Sequence, residues 1–261
     1  MNINLTGKNA LVGASTSGIG KAIAMQLAQS GASVTLMSRD AEKLKKVSDA
    51  LPRKDGQQHH WLQVDFADHE DFQGKISAFF EENTIDILVN NTQGPPAGTA
   101  LEKEVADYQK AFNLLFKNVV LTTELALKNM RKNQWGRVIN VASVSVQEPL
   151  PHLVLSNSIR AAVVTWGKSL ATAVGPDQIT VNSILTGYFD TPRIEQLNQK
   201  KAEVLGVSQK EIRQQMEDAV PVRRLGVPKE YGYLVAFLAS EKAAFLTGTK
   251  IPLDGGLLQS L

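Results

Sequence analysis

The stretch Asn9-Ala10-Leu11-Val12-Gly13-Ala14-Ser15-Thr16-Ser17-Gly18-Ile19-Gly20 decides the fold. An apolar run of strand length passes into a turn rich in Gly and Ser, and from residue 20 to 29 apolar residues recur at helical spacing. Small residues let the backbone turn sharply there. The first N–H groups of the following helix have no partner within it, so they face an anion such as a dinucleotide pyrophosphate.

Outward from that unit the pattern repeats. Runs rich in Val and Ile at 33–37, 60–64, 85–89, 137–141 and 180–185 read as strands, with a short last one at 249–253. Helical patterns at 42–51, 70–81, 103–132 and 155–174 lie between them. Near-continuous apolar strands joined by helices predict an α/β fold: a single Rossmann-type doubly wound domain over 1–261, about seven parallel strands with helices on both faces. The polar, Lys- and Gln-rich segment 190–216 interrupts the pattern before the chain returns at Pro221. It reads as a helical lid at about 190–220, or equally as a helix pair at an oligomer contact.

Composition narrows the function. The 261 residues carry 28 Lys and Arg against 26 Asp and Glu, a net +2 that gives no broad footprint for nucleic acid or an anionic membrane. With no Cys there is no thiolate nucleophile, and four dispersed His give no metal centre. No secretory signal or 18-residue apolar run is present, so a cytoplasmic protein is expected.

Several stretches together, Gly18-Ile19-Gly20, Val64-Asp65, Asn90-Asn91-Thr92, the run from Gly136 to Ser143, and Leu246-Thr247-Gly248 leading to Asp254-Gly255-Gly256, resemble the short-chain dehydrogenase/reductase family over the whole chain. The likeness is to its branch of 3-oxoacyl-acyl-carrier-protein reductases. The resemblance implies that Gly13, Ser15, Ser17, Gly18, Ile19 and Gly20 hold the pyrophosphate, that Asp65 and Phe66 flank the adenine, and that Asn90 lies near the ribose. It also implies that Thr191 bonds the nicotinamide carboxamide, and that two long helices pair across a homo-oligomer's two-fold. Ala14 stands at the family's first glycine, which a negative φ would accommodate. The second strand ends in Ser38-Arg39 instead of an acid, which favours a 2′-phosphate and hence NADP(H); the alternative is an Arg paired with Asp40 or Glu42.

The catalytic pattern departs from the family's. Ser143 matches its serine, but Leu115 occupies the Asn position, and the family's Tyr-x-x-x-Lys reads Ser156-Asn157-Ser158-Ile159-Arg160. A serine has no phenolic acidity and Arg stays protonated, so the pair cannot reproduce a tuned Tyr and Lys. Four residues apart on a helix, Ser156 and Arg160 still share a face. Arg160 is then a ligand for the nicotinamide ribose or for a substrate carboxylate. Tyr188, with an Arg nearby to stabilise its phenolate, and His152 are candidate proton donors; their plainer roles are pocket wall and solvated loop. Trp61, Trp135 and Trp166 read as packing groups, and Lys200-Lys201 and Arg223-Arg224 as solvated pairs or subunit contacts. The expected function is an NADP-dependent oxidoreductase acting on a carbonyl or hydroxyl of a small-molecule substrate. The alternatives are a dinucleotide-binding regulatory or partner subunit, or a repurposed lyase.

Overall fold

The computed structural model describes residues 2–54 and 56–260. Seven strands form one parallel sheet: β1 (Asn9–Val12), β2 (Ser33–Ser38), β3 (His60–Gln63), β4 (Ile87–Asn90), β5 (Gly136–Val141), β6 (Ile179–Thr186) and β7 (Lys250–Leu253), in the spatial order β3-β2-β1-β4-β5-β6-β7. The order reverses between β1 and β4. In such sheets a crevice opens outside the strand ends at that point, and ligands bind there.

Alternation along the strands divides the core into two layers. Ala10 and Val12 of β1 point to one face, and Leu11 between them points to the other. On the first face α1 (Gly18–Gln29) and α2 (Ala41–Ala50) cover the sheet through Ile23, Leu27, Leu44 and Val47. On the second lie α3 (His69–Glu82), α4 (Val105–Phe112), α5 (Asn118–Lys132) and α6 (Val154–Val174), with Phe72, Ile76, Met130 and Val174 packed on Leu88 and Val138. The long helix expected at 103–132 is broken by a π turn, Asn113–Lys117, which joins α4 to α5 and buries Leu114 and Leu115.

The segment at 190–216 forms α7 (Pro192–Leu205) and α8 (Gln209–Ala219). A helix that the periodicity reading did not separate, α9 (Pro228–Leu238), returns to the first face beside α1. Close approach is possible because Gly232 has no Cβ; one there would lie 2.9 Å from the Ala22 carbonyl oxygen. Tyr231, Val235 and Leu238 fill the joint.

Candidate active site

The turn after β1 is fastened from three sides. Ser15, fully buried, accepts a hydrogen bond at Oγ from the Met37 N–H at 3.1 Å, which ties the turn to β2. Its hydroxyl therefore holds the turn's shape. Asn91, which the sequence reading gave no role, donates from Nδ2 to the Gly13 carbonyl at 3.0 Å and ties the turn to β4. A Cβ on Gly13 would strike the Asn91 carbonyl oxygen, and one on Gly20 would strike the Ala14 carbonyl. Both glycines are thus required by close backbone packing. From above, Thr191 lies against Gly18, 3.2 Å from where its Cβ would be.

Ala14 corrects the expectation of a negative φ. Its φ is +45°, in the left-handed region, at a cost of about 1–2 kcal/mol for a residue with a Cβ. The turn needs that conformation to present the Ser15 N–H to the Met37 carbonyl at 3.2 Å, and the bonds of Ser15 and Asn91 hold it there.

Ser17 precedes α1 in extended backbone, and its side chain makes no capping bond, so hydroxyl and helix N–H groups face the crevice together. Ile19, one residue into the helix, packs against the first core layer. At the end of β2, the Ser38 hydroxyl meets Thr16 Oγ1 at 3.2 Å. Arg39 is exposed and makes no ion pair among the described residues: Asp40 is taken by Lys43 at 2.8 Å, and none joins Arg39 to Glu42.

After β3, where the resemblance expects the adenine, Phe66 is buried against Phe72, the ring centroids 5.2 Å apart, and Asp65 Oδ1 accepts from the Ala67 N–H at 2.9 Å. Phe66, Asn90, Asn118 and Val119 line one small cleft. Asn118, a second residue the sequence reading left without a role, donates to the Phe66 carbonyl at 2.8 Å and steadies the loop. Asn90 donates to Thr123 Oγ1 at 3.0 Å and Asn140 Oδ1 at 2.9 Å, locking β4 to its neighbours.

The candidate catalytic residues Ser143, Ser156 and Arg160 lie on the segment after β5 and on α6. Ser143 Oγ accepts from the Ser145 N–H at 3.1 Å and from the Ser145 hydroxyl at 2.8 Å. A hydroxyl has two acceptor sites and one donor, so both acceptor sites are filled and the Ser143 proton is left to point outward. Ser145 is fully buried; the Ser-x-Ser spacing was the only sign of it in the sequence. Arg160 donates from Nη1 to the Val141 carbonyl, two residues before Ser143. One turn away on α6, the Ser156 hydroxyl has no side-chain partner among the described residues.

No Arg hydrogen-bonds the Tyr188 hydroxyl among the described residues; Arg160 bonds the Val141 carbonyl, and its charge acts on Tyr231. Tyr231 is fully buried and meets Thr186 Oγ1 at 3.0 Å; burial pushes its hydroxyl well above the ordinary range, with Arg160 opposing. Burial also lowers the Arg160 guanidinium from its usual value. Tyr188 is half-buried, and burial alone raises its pKa, which weakens it as an acid. His152 is exposed, and its carbonyl accepts from the Gly98 N–H at 2.7 Å.

Two further contacts border the site. Thr191 caps α7, accepting from the Ile194 N–H at 3.3 Å. The segment after β7 folds back onto the loop that follows Ser143: Leu257 and Leu258 pack against Ala142 and Val144, and Glu148 Oε1 accepts from the Gln259 and Ser260 N–H groups, each at 2.8 Å.

No helix among the described residues is long and apolar enough to cross a membrane, and no cluster of three or more His, Asp or Glu is placed to hold a metal. A sequence profile of the family described as enoyl-(acyl carrier protein) reductase matches residues 13–258. The 3-oxoacyl-[acyl-carrier-protein] reductase FabG of Aquifex aeolicus is 31% identical over 98% of this chain and 100% of its own length. The NADPH-dependent reductase BacG of Bacillus subtilis is 28% identical over 97% and 99%. The L-sorbose reductase of Gluconobacter frateurii, solved with NADPH and L-sorbose, superposes with a TM-score of 0.93 over the whole of both chains at 30% identity. Fold, glycine-rich turn and end-to-end similarity agree: this chain belongs to the short-chain dehydrogenase/reductase family, an oxidoreductase family, on its 3-oxoacyl-acyl-carrier-protein-reductase-like branch.

Proposed function

We propose that this chain is an NADP(H)-dependent oxidoreductase that interconverts a carbonyl and a hydroxyl on a small-molecule substrate, with a site that differs from its family's at three positions. The observation that carries this reading is Ser143, whose two acceptor sites are filled by Ser145 and whose proton is therefore free for a substrate oxygen. Ser17, Gly18, Ile19 and the start of α1 suit a pyrophosphate, while Ser38 and the unpaired Arg39 suit a 2′-phosphate. Relatives named for NADPH support the same choice.

When bound, NADPH supplies a hydride. Ser143 polarises the substrate oxygen by donating to it, and Arg160, held at the end of β5, offers its remaining N–H groups to the nicotinamide ribose or to charge developing on that oxygen. The proton comes to the oxygen through a hydroxyl: Ser156 passes one on and takes another from water. Tyr188 walls the pocket, and Thr191 at the head of α7 holds the carboxamide. In this reading 1–261 forms one dinucleotide-binding domain with α7 and α8 as its lid, working in the cytoplasm as a homo-oligomer.

Calorimetric titration with NADPH and, separately, NADH tests the cofactor assignment; micromolar NADPH binding with much weaker NADH is expected, and binding of neither overturns it. A second reading, a dinucleotide-binding subunit without turnover, is favoured by Leu115, buried where the family keeps an Asn, and by the weakened acidity of Tyr188. Ser156→Tyr with Arg160→Lys separates the two. A large gain in carbonyl reduction means that the pocket is otherwise intact for catalysis, and no gain favours the binding subunit.

A further inference from the structure

Positive charge at the mouth of the crevice is left without an ion pair among the described residues. Four acidic residues in the segments that follow β4, β5, β6 and β7 are already engaged. Glu102 accepts from the Thr99 N–H at 2.7 Å. Glu148 holds Gln259 and Ser260, and Asp190 is gripped by both Nη atoms of Arg213 at 3.0 and 2.9 Å. Asp254 closes its own turn on the Gly256 and Leu258 N–H groups, at 3.0 and 2.8 Å.

Two guanidinium groups border the same mouth without a carboxylate. Arg160 has only the Val141 carbonyl. Arg193, on the first turn of α7, makes no side-chain hydrogen bond or ion pair among the described residues, and its Nη2 lies 3.8 Å from where a Cβ on Gly94 would be. Thr191, two residues earlier, rests on Gly18. The first turn of α7 therefore spans from the phosphate turn to the loop after β4. The Arg193 guanidinium hangs across that span, on the lid side of the crevice.

The geometry points to Arg193 as the residue that selects an anionic substrate: a carbonyl compound bearing a carboxylate, gripped by the two parallel N–H groups of the guanidinium. A planar carboxylate matches that fork, and no carboxylate among the described residues forms an ion pair with it, Glu195 on the same turn of α7 included. An uncharged ketone would leave the exposed Arg193 guanidinium to water. The inference rests on the carbonyl reading above and adds the substrate's charge to it.

The test compares acetoacetate with methyl acetoacetate, which present the same ketone with and without a negative charge. Binding of each to the complex of the protein with NADP⁺ is measured by calorimetry, and the ratio of kcat/KM for acid over ester by NADPH oxidation. The acid is expected to be favoured about tenfold to a hundredfold, the range for one charge-assisted hydrogen-bonded pair. Arg193→Gln should bring both ratios toward one, and Arg193→Lys, which keeps the charge but loses the fork, should fall between. NADPH affinity of each variant reports that the fold is retained. Acid and ester bound alike by the unaltered protein overturns the inference. So does an Arg193→Gln variant that keeps its acid preference, or one that loses NADPH affinity as much as acid affinity, since Arg193 is then a ligand of the cofactor's phosphates. Turnover of neither compound, with acid binding that depends on Arg193, overturns the carbonyl reading and leaves the anion site standing.

Discussion

Ser145→Ala isolates the contribution of a buried hydroxyl that never touches substrate. The substitution removes one of two bonds to Ser143 Oγ, the 2.8 Å bond from the Ser145 hydroxyl, and leaves the 3.1 Å bond from the backbone N–H. Ala fits the space because Ser145 is fully buried and only an oxygen is deleted. A neutral hydrogen bond contributes about 0.5–1.5 kcal/mol net, so if it is felt fully when the Ser143 proton bonds the substrate oxygen, kcat should fall about twofold to about twelvefold. A freed acceptor site also lets Ser143 rotate its proton toward other partners. Turnover at saturating NADPH, with KM and NADPH affinity measured beside it, is the assay. The expected result is a fall in kcat with NADPH affinity unchanged, and rescue by Ser145→Thr, which restores the hydroxyl. An Ala variant with full kcat refutes the reasoning, as does one whose loss lies wholly in cofactor affinity.

Three other outcomes follow from the same geometry. Gly20→Ala drives a Cβ into the Ala14 carbonyl and should abolish dinucleotide binding in calorimetry while circular dichroism still shows a folded sheet. Arg39→Ala should weaken NADPH by about tenfold or more and leave NADH nearly unaffected, because only one of the two carries the phosphate the side chain would meet; equal loss on both would mean that Arg39 does not read it. Arg213 holds Asp190 below its ordinary 3.8, so the Asp190 bond that pins α8 to the chain entering α7 is fully present above about pH 4 and is lost as pH falls through the depressed value. Proteolysis within 190–220 should therefore be flat from about pH 5 to pH 8 and increase only below about pH 4 in the unaltered protein, whereas Arg213→Ala should be cleaved faster at every pH in that range with no trend across it.

Most of the architecture was legible because strand periodicity and turn chemistry are local. All seven strands fall where the apolar runs placed them, within two residues at either end. The order of the motifs carried the family. What stayed hidden is non-local or depends on one backbone angle. α9 was missed because its apolar residues face α1, some two hundred residues earlier in the chain, and no local signal separates it from the returning chain. The positive φ of Ala14 was misjudged because the bonds that compel it come from Met37 and Asn91, two other strands away from the turn in sequence. The π turn around Leu115 has no mark in composition. Of the candidate site, the family resemblance pointed to Ser143 and Arg160, but the bonds from Ser145 to Ser143 Oγ and from Arg160 to the Val141 carbonyl emerge only when helix and strand are brought together.

The fold-back of residues 257–260 onto the loop after Ser143 ties the end of the described chain to the candidate catalytic segment. The loop that follows Ser143 leans on a segment more than a hundred residues later, which itself hangs from the edge strand β7. Edge and loop thus form one cooperative unit: whatever frays β7 loosens Ser143, although the two never touch. On the proposed function, a substitution at Leu257 or Leu258 is expected to register as a loss of turnover before it registers as a loss of fold.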